Sequence, residues 1–160
     1  MKKTAKMVWL GAVAVALAGM VEAMAWSPVQ VGLFGGNVQI CAPETEIAGL
    51  RLNLPYSEND DVSGLDLGIV SGAASFSGLR LNVINLSDEH SGGVEIGLAN
   101  VARGEMVGFQ FGLYNYAESM RGFQLGLINK CGSLHGIQIG LINMIESGDV
   151  AMLPIVSWAF

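Results

Sequence analysis

Two histidines, a regular file of glutamines and many glycines are the residues of this 160-residue chain whose types admit chemistry. His90 stands in Ser87-Asp88-Glu89-His90, where an imidazole beside two carboxylates could hold a metal ion or relay a proton. The other histidine, His135, lies far along the chain, and a single histidine beside acids in a polar stretch is ordinarily a solvated residue. Ser, His and Asp can be combined in several ways, but no nucleophile elbow or other spacing singles out one set. Gly97 and its relatives invite comparison with a phosphate loop. Yet no Gly-x-Gly-x-x-Gly falls between a strand and a helix, and no Gly-Lys-Ser/Thr ending follows. Gln110, Gln124 and Gln138 form the most regular polar column; they could line a lumen or a binding strip, or simply bond to one another as a ladder. We expect no catalytic residue, no cofactor and no metal ligand.

The glutamine spacing belongs to a short unit written seven times, beginning at Gly49, Gly64, Gly78, Gly93, Gly108, Gly122 and Gly136, at intervals of fourteen or fifteen residues. A fixed period of this kind is the signature of a repeat architecture. Within a unit Phe123, Leu125 and Leu127 fall on one face and Gly122, Gln124 and Gly126 on the other, the period-two alternation of a strand. An apolar residue stands two places before most of the leading glycines, as at Ile47, Val62, Phe76, Met106, Met120 and Leu134. The connectors, such as Ala102-Arg103-Gly104-Glu105 and Cys131-Gly132-Ser133, have the composition of tight turns. Trp26-Ser27-Pro28-Val29-Gln30 is a variant unit with Pro28 in place of the leading glycine, and Gly35-Gly36-Asn37 is a turn signal.

Two all-β architectures bury such strands. The one we expect is an antiparallel meander of the repeats closed into a small barrel of about ten strands, which leaves no open edge. It places the Phe/Leu face against lipid and the Gly/Gln face inside. Its register sets Leu98 opposite Phe109 and Ile96 opposite Phe111. The alternative is a parallel β-solenoid in which each unit is one coil. There Asn85, Asn100, Asn115, Asn129 and Asn143 stack as a ladder, and Phe123 sits beside Ile137.

Lys2, Lys3 and Lys6 precede an apolar run, and Ala23-Met24-Ala25 has the form of a cleavage site. Residues 1–25 therefore read as a signal peptide and residues 26–160 as one β-repeat domain. The mature part carries five basic and thirteen acidic residues, a net charge of −8 that repels nucleic acid. Cys41 and Cys131, ninety positions apart, form neither a disulfide framework nor a metal motif.

The units, the Trp26-Ser27-Pro28-Val29-Gln30 opening and the Leu153-Pro154-Ile155 ending together resemble bacterial surface-repeat proteins built from Gly-Leu-Gln-Ile-Gly-Leu-Ile-Asn-like units. The resemblance spans the mature chain and implies a protein of the outer membrane or cell surface; it carries over no functional residue. The expectation is an exported, non-catalytic structural or surface protein with membrane lipid as partner. A secreted module binding a protein or glycan ligand is the alternative.

Overall fold

A computed structural model describes residues 25–33, 39–148 and 152–160. The signal segment, except Ala25, and the Gly35-Gly36-Asn37 turn lie outside the described residues. The described part is all β: β1 (Trp26–Gly32), β2 (Glu46–Ile96), β3 (Ala99–Ile145) and β4 (Met152–Ala159) form one open sheet in chain order. β2 and β3 contain 51 and 47 residues. Drawn straight, each would exceed about 150 Å at roughly 3.3 Å per residue. They bend back on themselves instead, so that equivalent positions of successive units become neighbours.

The pairing is mixed. β1 pairs with β2 and β2 with β3 in parallel, while β4 alone runs antiparallel, against the last unit of β3. Gly93 pairs with Gly108, Val94 with Phe109 and Glu95 with Gln110, a constant offset of one unit. This corrects the antiparallel meander: Phe109 lies beside Val94 and not beside Leu98. The expected turn Ala102-Arg103-Gly104-Glu105 is part of β3, with Ala102 beside Ser87 and Glu105 beside His90. Cys131-Gly132-Ser133 likewise lies within β3. The physical reason is what those small residues face. Ala102, Ala117 and Cys131 are fully buried against Met106 and Met120, so their size fits a narrow interior rather than a reversal of the chain.

The leading glycines make the bends. Gly108 has φ 133°, and a Cβ there would overlap the carbonyl oxygen of Gly93 in the neighbouring row. A side chain is excluded twice, by backbone conformation and by contact. The same relation links Gly64 to Gly49 and Gly136 to Gly122. Gly49 meets Pro28 in this way, which makes β1 a row equivalent to the others.

The apolar core is thin and comes in two pieces. Cys41, Ile47, Val62, Ala73 and Phe76 form one cluster; Ala102, Met106, Ala117, Met120, Cys131 and Ile145 form the other, with Leu134 packed against it. Ser87, Ser91, Arg80 and Glu95 fill the interval, all of them buried. Much of the interior is therefore polar, and its hydrogen bonds have to be satisfied internally.

Candidate functional site

The third residue of every unit points inward. In chain order this column reads Gln30, Arg51, Asp66, Arg80, Glu95, Gln110, Gln124 and Gln138, every one of them buried. The three glutamines singled out in the sequence are thus enclosed rather than spread along an exposed strip. Gln138 Nε2 donates to Gln124 Oε1 (2.7 Å), Gln124 Nε2 to Gln110 Oε1 (2.8 Å), and Gln110 Nε2 to Glu95 Oε2 (2.9 Å). A file of amides whose donors all point one way needs a pure acceptor at its head, and the Glu95 carboxylate is one.

The charged members of the column alternate in sign. Arg51 Nη2 lies 2.7 Å from Asp66 Oδ2, Arg80 Nε 3.3 Å from the same oxygen, and Arg80 Nη1 3.3 Å from Glu95 Oε1. Ser71, Ser87 and Ser91 complete the bonding around the two carboxylates. The Arg80 guanidinium also stacks over the Phe76 ring, 4.0 Å from its centroid. Burial alone raises the Asp66 carboxyl, but the charges of Arg51 and Arg80 and the bonds from Arg51 and Ser71 outweigh it and hold the group below the usual carboxylate range. Burial pushes the Arg80 guanidinium down to about 10 against the opposing pull of Glu95 and Asp66. Two positive and two negative charges make this interior formally neutral.

A second column uses asparagine at the eighth place. Asn85 Nδ2 donates to Asn100 Oδ1 (2.7 Å), and Asn100 to Asn115, Asn115 to Asn129 and Asn129 to Asn143 follow at 2.8 Å each. The second proton of each amide is also used; Asn100 Nδ2 reaches Phe111 O (2.9 Å) and Asn129 Nδ2 reaches Ile139 O (2.9 Å). Donors in this file point toward the C-terminus, the reverse of the glutamine file. The glycine at the fifth place makes room for it: a Cβ at Gly126 would strike Asn115 Nδ2.

Reactive groups are not assembled. His90 is half exposed, its Nδ1 3.6 Å from Glu105 Oε2, and Glu105 also receives Arg121 Nε at 3.1 Å. His135 packs edge-on against Phe160, with ring centroids 5.9 Å apart. Among the described residues no three His, Cys, Asp or Glu side chains come together as a metal site. Cys41 and Cys131 are free and sit in different core clusters, and burial followed by the charge of Glu146 pushes the Cys131 thiol up to about 12. A thiol held protonated in this way is a poor nucleophile.

The outside offers a different kind of feature. The second, fourth and sixth residues of all seven units are Leu, Ile, Val or Phe without exception. None is buried, and the sixth-place column from Leu54 through Leu98 (55 % exposed) to Leu141 (67 % exposed) is exposed throughout. β1 adds Val29 at one end and β4 adds Val156 and Trp158 (63 % exposed) at the other. Charged side chains occupy the other side, along the connectors: Asp60, Asp61, Asp88, Glu89, Arg103, Glu105, Glu118, Arg121 and Glu146. The exterior is amphipathic, with one flat apolar face and one acidic face. Comparison of the chain with protein-family models, with curated proteins and with solved structures found no match.

Proposed function

We propose that this chain is an exported, non-catalytic structural module of the cell surface, built as a parallel β-solenoid in which each fourteen- or fifteen-residue unit is one coil. The observation that carries this reading is the one-unit offset shared by the backbone register and both amide columns. The inner column of buried Gln, Arg, Asp and Glu side chains and the two apolar clusters occupy the interior, and amides committed to ladders are not available to a ligand. The repeated face is a scaffold rather than a reaction site. The charged lysines of residues 1–25, the apolar run after them and the resemblance to surface-repeat proteins support export. A net acidic exterior supports a partner other than nucleic acid.

Fractionation of the producing cells tests the reading. The exported protein should begin at Trp26 by intact mass, give a β-rich far-UV spectrum, and leave the envelope in an alkaline wash without detergent. Retention of Met1 in the cytoplasm rejects export. A detergent-requiring, heat-modifiable species rejects the solenoid in favour of a lipid-embedded barrel.

A further inference from the structure

We infer that the apolar face is the contact between two copies of this chain, packed face to face as a twofold dimer; the inference rests on the coiled architecture proposed above.

The face is too large and too uniform to stand in water. Counting β1, the seven units and β4 gives about nine rows, so at roughly 4.8 Å per row and four residue steps of about 3.3 Å across, the footprint is about 40 Å by 13 Å. That is about 500 Å² before side-chain relief is added, so a face-to-face pair covers roughly 1,000 Å² in total, the level a specific interface has to clear, and each face exceeds the few hundred Å² ordinary on a soluble monomer.

Chemistry narrows the occupant. No second-, fourth- or sixth-place residue carries a polar atom in its side chain, so the face has nothing with which to hydrogen-bond a sugar or to read a polar peptide. Anionic lipid is disfavoured by charge. With Arg51, Arg80, Asp66 and Glu95 enclosed and mutually neutral, the exterior retains Arg103, Arg121 and Lys130 against ten described carboxylates. A second copy meets both conditions. It presents the same rows at the same spacing, so ridges of one face can enter the furrows of the other as in two stacked sheets about 10 Å apart. Its acidic connectors lie on the far side, away from the contact. A closed pair uses both faces fully and leaves none for further growth, as an isologous contact requires.

A twofold axis lying between the faces and through their middle brings Ile96, the fourth residue of the central unit, close to its own counterpart. Sedimentation of the unsubstituted exported chain in detergent-free buffer should give the mass of two copies. Leu98→Glu combined with Leu113→Glu should give one copy with an unchanged far-UV spectrum. A chain with Ile96→Cys should join to itself through a short bismaleimide, since Cys41 and Cys131 are buried, whereas Glu89→Cys on the acidic side should not. If the double variant fails to fold, the Ile96→Cys result decides alone. A single-copy mass, single copies adsorbed to phosphatidylcholine vesicles, open-ended aggregates, or no joining at Ile96→Cys each overturns the dimer. A chain that keeps Met1 yet pairs would refute export and leave this inference intact.

Discussion

Arg51 and Arg80 reach Asp66 from the rows on either side, and its carboxylate is the counter-ion the two share. Asp66→Asn removes that charge while leaving both guanidinium groups enclosed. The cost expected for an uncompensated buried charge is about 3–5 kcal/mol, read as a fall in the urea midpoint. The same carboxylate gives stability a pH dependence. Its folded pKa lies below the unfolded value, so its contribution is complete above about pH 4 and is lost as pH falls through the folded value. Urea midpoints measured from pH 6 to pH 2 should drop on the acid side, and the drop should be smaller in Asp66→Asn. Equal acid sensitivity in both proteins would remove Asp66 as its source.

At the level of the element, the leading glycine decides whether one row can lie on the next. Gly108→Ala should destabilise by about 1–3 kcal/mol for the backbone conformation alone, with more from the overlap with Gly93. Leu127→Ala, on the exposed face of the next unit, should unfold near the midpoint of its background once the chain is held as single copies by Leu98→Glu with Leu113→Glu. Thermal and urea unfolding compare them; a neutral Gly108→Ala would mean the bend is made elsewhere. These glycines, the strand alternation and the apolar residue two places before most of the glycines were all legible in the sequence, because each repeats with the unit. The direction of pairing was not. Ile96 beside Phe111 satisfies the antiparallel and the parallel register alike, and an apolar–apolar match at every row cannot tell a reversal from a coil. Nor was the charged half of the inner column recognised. Arg51, Asp66, Arg80 and Glu95 are residues normally found in water, although aligning the units on their leading glycines puts them in the glutamine file. The fifteen-residue intervals that open at Gly49, Gly78 and Gly93 carry their extra residue in the connector, which is why the inner files stay in step.

On the coiled architecture proposed above, the whole molecule is a stack in which each row touches chiefly the rows before and after it, so its stability should behave as a sum over neighbours. Deleting residues 108–121 brings Gly122 beside Gly93 and Gln124 beside Glu95, reproducing contacts the stack already contains. The shortened chain should still fold cooperatively, with a slightly smaller urea m-value in proportion to the surface removed. Deleting residues 108–114 shifts every later row by half a unit and should abolish folding, as judged by far-UV spectrum and proteolysis. Folding of both, or of neither, would argue against row-by-row stacking. The opposed donor directions of the two amide files bear on how long such a stack can be. In an α-helix the peptide dipoles align and leave roughly half a charge at each end. In the three rows that carry both amides, those opening at Gly108, Gly122 and Gly136, the glutamine and asparagine dipoles point in opposite senses along the same axis and oppose one another. Lengthening the stack by rows of this kind would build up no field at either end that a counter-ion would have to quench.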